Sequence, residues 1–197
     1  MSAENGTAAD DRWTARAQEI FTAEQAKLVE RTPESAALYE RAVQSMPLGV
    51  ASSFQAAEPY PVYLSHGAGS HVWDVDGHEY VDFHNGFGSI AVGHAHPKVV
   101  AAIERAAHRG THFAVTTADA VALAEELGRR FGLDRVRFTN SGTEATMDAI
   151  RCARAATGRD LVLKIEGSYH GHHDTVMFSV VPGAAALTGA DTPPSTP

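Results

Sequence analysis

From Arg135 to Thr139 polar and apolar residues alternate, with Val136 and Phe138 on one side, and Asn140-Ser141-Gly142 then breaks the alternation. The pattern predicts a short strand feeding a turn. From Thr143 to about Thr157 the spacing becomes helical, with Ala145, Ala149, Cys152, Ala153 and Ala156 as a stripe of small residues and Gly158 placed as the stop. Such a stripe suits close packing of a helix on a sheet. Leu161 to Ile165 is short, apolar and partly β-branched between Asp160 and Glu166-Gly167, which predicts a buried parallel strand; a third strand is expected near 175 to 180.

Earlier in the chain the pattern predicts an amphipathic helix over 11 to 30 and a second over 33 to 44, with Thr32 as its cap and Pro33 in its first turn. Val72 to Val75 and Glu79 to Phe83 flank Asp76-Gly77, a hairpin signature. Helices are predicted over 97 to 109, opened by Pro97 and closed by Gly110, and over 119 to 131. Residues 1 to 10 read as disordered, and residues 182 to 197, rich in Pro, Gly, Ala and Thr, as loop or disorder. The class is α/β in four parts: 1 to 10, 11 to 110 with helices and a small antiparallel unit, 111 to 181 with the start of a larger parallel sheet, and 182 to 197. That sheet reads as unfinished, so exposed edges are expected, with either poor solubility of the chain alone or dependence on a partner that completes the sheet.

Composition narrows the function classes. A net charge of -8 without a basic cluster argues against nucleic acid and anionic membrane as partners. No apolar run is long enough to span a bilayer and the N-terminus lacks a basic start with an apolar core, so a cytoplasmic location is expected. Cys152 is the one cysteine; on the small-residue stripe it reads as buried packing, not a nucleophile.

The turn before the helix at 143 is the first candidate for chemistry. It places N–H groups of a helix N-terminus beside the hydroxyls of Ser141 and Thr143, and Gly142 permits close approach of an anion, so it can cradle a phosphate. An ordinary helix cap by Ser141 or Thr143 accounts for the same residues. Tyr169 follows a predicted strand end, where ligands of open parallel sheets bind and where a ring can lie on a flat cofactor. Taken alone, Tyr169-His170-Gly171-His172-His173-Asp174 equally describes a solvated loop or a metal site. Glu166 either orients that loop or caps it.

At these residues the sequence resembles the class III (fold type I) pyridoxal-phosphate aminotransferases, especially the glutamate-1-semialdehyde 2,1-aminomutase group. The matching stretches are GSHVWDVDGHEYVDFHNGFGSIAVGHAHPKVVAAIERA (69 to 106), RFTNSGTEATMDAIRCARAATGRDLVLKIEGSYHGHHD (137 to 174) and, more weakly, SMPLGVASSF (45 to 54). The resemblance implies the PLP-dependent transferase fold type I, incomplete here. It implies pyridoxal 5'-phosphate as cofactor, with its phosphate held by Ser141, Gly142 and Thr143, its ring stacked on Tyr169 and His170 as a neighbour. It further implies small-molecule amino donors and acceptors and a homodimer. Ser52 would line the substrate side; Gln55 falls where the aminomutases carry an arginine that grips the substrate carboxylate, and an amide cannot form that charged fork.

The family's lysine for the cofactor aldehyde and its acidic partner for the pyridine nitrogen would follow Pro197, and Lys27, Lys98 and Lys164 are not at the lysine's position. The chain therefore reads as an N-terminal portion, expected to be inactive alone. Two other functions compete. Eleven histidines, including His94-Ala95-His96 and His170 to His173, raise a metal hydrolase, but no His-Glu-x-x-His helix is present and polar capping before Pro97 accounts for His94 and His96. The other is a non-catalytic phosphate- or cofactor-binding protein, or one subunit of a split enzyme.

Overall fold

The computed structural model describes residues 7 to 178 and residue 180. The chain forms two compact units that divide between His112 and Phe113.

In the first unit, α1 (Thr7–Arg31) and α2 (Pro33–Ala42) meet at Thr32. Helix α1 starts four residues before the periodicity predicted, inside the stretch read as disordered; residues 1 to 6 lie outside the described residues. Thr32 holds the cap position of α2 but does not cap it. Its hydroxyl turns back to donate to the Leu28 carbonyl (2.6 Å) and shares a hydrogen bond with the Tyr60 hydroxyl (3.1 Å). The capping acceptor comes instead from the hairpin turn. Asp76 accepts from the Glu34 N–H (2.7 Å), the Ser35 N–H (3.1 Å) and the Ser35 hydroxyl (2.9 Å), while Pro33 in the first turn has no N–H to satisfy. Sequence spacing finds a local cap; this one is supplied across about forty residues of chain.

The sheet is antiparallel in the order β1 (Leu64–Ala68), β2 (His71–Asp74), β3 (Glu79–Val81). Val72 faces Tyr80 and Trp73 faces Glu79 across the predicted hairpin. Strand β1 escaped the sequence reading because its pattern is broken twice. Its register shifts between Leu64 and His66, and Gly67 supplies no side chain because a Cβ there would stand 2.6 Å from the His94 ring. That ring is placed by Asp82, whose carboxylate accepts from His94 Nε2 (2.7 Å) and from the N–H groups of His84 and Asn85 (2.8 Å each). These hydrogen bonds, led by the Asn85 N–H and the His94 ring, hold the Asp82 carboxyl below its usual range. His94 therefore pins a loop to the sheet, and His96 sits at the cap position of α3 (Pro97–Ala107) without a side-chain cap, so neither does the capping expected of it.

Apolar burial in this unit is slight, limited among the described side chains to Ala42, Val50, Tyr60, Pro61 and Val72. Polar anchors carry correspondingly more of the structure. Asp74 is 1% exposed and accepts from the His78 N–H (2.7 Å), His78 Nδ1 (3.0 Å) and the Tyr80 hydroxyl (2.7 Å). Burial alone would raise its carboxyl, but the bonds from Tyr80 and His78 outweigh it and leave it lowered.

In the second unit, α4 (Ala118–Phe131) is capped by the Thr117 hydroxyl and closed by left-handed Gly132, and α5 (Gly142–Thr157) is closed by left-handed Gly158. Among the described residues the three predicted strands are not formed. Segments 135 to 139 and 161 to 165, and residues 175 to 178, have no strand partner among the described residues; residue 179 is outside them. A strand needs a neighbour for its N–H and C=O groups, and nothing in the described second unit supplies one. Leu161, Leu163 and Ile165 are accordingly 96%, 98% and 75% exposed. The small-residue stripe shares this fate. Ala145, Ala149, Cys152, Ala153 and Ala156 are exposed, so Cys152 is not the buried packing residue its position suggested. The predicted loop over 182 to 197 lies outside the described residues.

Two outcomes test the anchors of the first unit. Asp74→Ala leaves the Tyr80 hydroxyl and the His78 N–H without their acceptor and should destabilise the unit by about 1–3 kcal/mol in urea unfolding. Burial and the Asp74 carboxylate push the Tyr80 hydroxyl from 10.0 up to about 12. Folding therefore favours its protonated form, so its contribution is complete below pH 10.0 and is lost as pH rises toward 12. Tyr80→Phe should remove that part of the alkaline loss of stability, read by thermal midpoints across this window.

Candidate functional site

The N-terminus of α5 is assembled from short-range hydrogen bonds. Ser141 has extended backbone and its Oγ accepts from the Glu144 N–H (3.2 Å), making it the N-cap. Glu144 reaches back to accept from the Asn140 N–H, so its carboxylate is turned onto the residue before the cap. The Thr139 hydroxyl donates to the Ser141 carbonyl (3.1 Å), closing the turn from the other side. Of the two open readings of this turn, a cap is formed, by Ser141 and not by Thr143. Capping leaves the Ser141 proton free to donate, because the oxygen is used there as an acceptor. In front of Gly142 the space is open: a Cβ added there would meet nothing within 4 Å.

Loop 168 to 173 packs against this terminus. The His172 N–H donates to Thr143 Oγ1 (3.0 Å), and the Thr146 hydroxyl lies 2.7 Å from the His170 carbonyl and 3.3 Å from His173 Nε2. Gly171, buried at φ 112°, fits only without a side chain, since a Cβ would come within 2.8 Å of Thr143 Cα. Both stretches singled out from the sequence thus meet at one helix end. Tyr169 stands two residues before Gly171 with 59% of its surface exposed, and Glu166 is exposed at the preceding turn. Beneath the loop, Thr146, Ile150, Val162, His170 and Val176 line a cavity of about 210 Å³.

Sequence reasoning passed over Thr146, and it noted Gly171 and His173 only as members of a stretch open to reading as a solvated loop or a metal site. The available signal was Thr146 three residues after Thr143, one helical turn along the same face.

Ser52 and Gln55 belong to the first unit, whereas Ser141, Gly142, Thr143, Tyr169 and His170 belong to the second. Gln55 Oε1 accepts from the Ser52 N–H (3.1 Å), so the amide oxygen holds its own turn and the NH2 group remains a neutral donor. Gln55 borders a cavity of about 460 Å³ lined also by Met46, Val50, Phe54, Tyr63 and His84. Among the described residues no group of three or more His, Cys, Asp and Glu is placed to hold a metal ion, and no helix is long and apolar enough to cross a membrane. Lys164 Nζ donates to the Phe178 carbonyl (2.6 Å) and lies 5.0 Å from the centre of the Phe178 ring; Lys27 pairs with Glu24.

Residues 53–188 match the family model for class-III aminotransferases. The chain is 43% identical over 162 residues to a glutamate-1-semialdehyde 2,1-aminomutase of Methanopyrus kandleri, covering 82% of this chain and 38% of that protein. A solved transaminase with PLP bound is 47% identical with a TM-score of 0.73, over 75% of this chain and 35% of that one. A glutamate-1-semialdehyde aminomutase structure from Pseudomonas aeruginosa is 33% identical with a TM-score of 0.79, over 87% and 38%. The chain thus spans less than two fifths of the length of these relatives.

Replacing the cap tests the local architecture. Ser141→Ala should destabilise α5 by about 1 kcal/mol, and Ser141→Asp, which preserves the acceptor, should restore it; helical circular dichroism against temperature reads both.

Proposed function

The chain belongs to the class III aminotransferase family, a family of pyridoxal-phosphate enzymes with an α/β fold of type I, and from that premise we propose that it contributes the phosphate- and ring-binding loops of a cytoplasmic, homodimeric aminotransferase or aminomutase. Its substrates in this reading are small amino acids or amines. The observation that carries the reading is the meeting of the Ser141-Gly142-Thr143 turn with the Tyr169 loop at one helix N-terminus, with open space at Gly142.

These residues fit pyridoxal 5'-phosphate. The Ser141 hydroxyl accepts from Glu144 and keeps its proton for a phosphate oxygen; Thr143 Oγ1 accepts from His172 and does the same. The positive end of the α5 dipole favours the dianion, and Glu144 directs its own charge onto Asn140. The exposed ring of Tyr169 offers a stacking face, with His170 beside it. When bound, the cofactor supplies the electron sink for charge developing at the carbon that bears the amine.

On the substrate side we assign Ser52 and Gln55. The neutral amide of Gln55 presents only N–H donors there, so recognition of a substrate carboxylate, where one exists, differs from the arginine fork of the aminomutases. Relatives named as aminomutases and as transaminases both match, so the reaction is proposed at the level of amino-group transfer. Lys164 and Lys27 are held by Phe178 and Glu24, and we assign neither these nor Lys98 to covalent cofactor binding; this chain alone is not expected to transaminate.

The test is calorimetric titration of pyridoxamine 5'-phosphate into the 197-residue chain. Binding is expected, weakened about tenfold or more by Ser141→Asp, which keeps the cap but repels the phosphate. Tyr169→Ala should weaken pyridoxamine phosphate and leave inorganic phosphate unchanged. Binding indifferent to Ser141→Asp would refute the cradle. A stoichiometric borohydride-trapped adduct of pyridoxal phosphate on Lys27, Lys98 or Lys164 would overturn the assignment of those lysines.

A further inference from the structure

We propose that Thr146 and Gly171 are positioning residues that latch loop 168 to 173 onto the N-terminus of α5, so that the phosphate cradle and the Tyr169 ring are held at one fixed spacing. The inference rests on the cofactor reading above and assigns roles to residues that touch neither phosphate nor ring.

Thr146 Oγ1 has a single proton and several neighbours within reach. Inside the helix it lies 3.0 Å from the Gly142 carbonyl and 3.1 Å from that of Thr143; outside the helix it lies 2.7 Å from the His170 carbonyl. A threonine in a helix ordinarily gives its proton back to the preceding turn. Here the shortest contact is to the loop, so the proton goes to His170, and the oxygen lone pairs accept from His173 Nε2 at 3.3 Å. The resulting relay runs from His173 through Thr146 to the His170 carbonyl and fixes the His173 tautomer with its proton on Nε2. It ties two points of the loop, on either side of Gly171, to one hydroxyl.

Gly171 completes the latch by permitting contact. At φ 112° and with Thr143 Cα 2.8 Å from where its Cβ would stand, it lets loop backbone lie against helix backbone. That approach brings the next N–H, of His172, to Thr143 Oγ1 at 3.0 Å. Thr143 is therefore shared: its oxygen accepts from the loop while its proton faces the cradle. Tyr169 leaves the loop adjacent to His170, whose carbonyl the latch grips, so freedom at Thr146 becomes freedom of the ring.

Amide hydrogen exchange and ligand titration of the whole 197-residue chain test this. Thr146→Val keeps the shape and removes the hydroxyl; the His172 amide, which donates to Thr143 Oγ1, should exchange about tenfold faster, with α5 unchanged, and Thr146→Ser should restore its protection. Affinity for pyridoxamine 5'-phosphate should fall by a similar factor in Thr146→Val and recover in Thr146→Ser, while inorganic phosphate binds as before. Gly171→Ala, which leaves the helix side chains intact, should reproduce both effects if Thr146→Val fails to fold. Unchanged exchange at the His172 amide overturns the latch, whatever binds. A loosened loop with undiminished pyridoxamine phosphate affinity overturns its positioning role. If the wild-type chain binds no pyridoxamine phosphate, the cofactor reading fails, and the exchange result still decides the latch.

Discussion

A β-strand exists only where a neighbour takes its N–H and C=O groups, and that requirement governs the second unit. Segments 135 to 139 and 161 to 165 carry strand-like sequence but find no ladder among the described residues. Everything designed to lie on a sheet is therefore uncovered: the alanines and Cys152 of α5 on one side, Leu161, Leu163 and Ile165 on the other. Order at the candidate site comes from elsewhere. It is supplied by hydrogen bonds between the α5 terminus and loop 168 to 173, which need no sheet beneath them.

The first unit solves a related problem with carboxylates. Its apolar core is small, and Asp74, Asp76 and Asp82, all from the hairpin or its edges, each accept three hydrogen bonds. A carboxylate with several donors fixes the direction of every donor, and at Asp74 and Asp82 the hydrogen bonds also hold the carboxyl below its usual range. Asp76 docks α2, Asp82 docks the loop through His94, and Asp74 braces the turn between them. These contacts explain why a short three-stranded sheet can organise helices and loops around it.

At the candidate site the Ser141 cap is compatible with the proposed cradle, because capping uses the oxygen and not the proton of the hydroxyl. Ser141 Oγ accepts from the Glu144 N–H and Thr143 Oγ1 from the His172 N–H, so neither of these bonds uses a hydroxyl proton. A helix N-terminus with such double-ended hydroxyls is preorganised for an anion without new side-chain ordering. In the proposed function that anion is the phosphate of the cofactor on which the class III family depends.

The helices and the hairpin turn were legible in the sequence because local interactions decide them: Pro97 in a first turn, Gly158 in a left-handed stop, Asp76-Gly77 between two strand-like runs, and a cap at Ser141 or Thr143 that the structure assigns to Ser141. The motif pair at 140 to 145 and 166 to 171 likewise announced the family, since its residues and order survive without coordinates. Tertiary structure alone decided that Asp76 and not Thr32 caps α2, that Gly67 yields space to His94, that the small-residue stripe stays exposed, and that Thr146 grips the His170 loop. Each of those outcomes joins groups from twenty to forty positions apart or depends on whether a partner surface is present, and periodicity along a chain records neither.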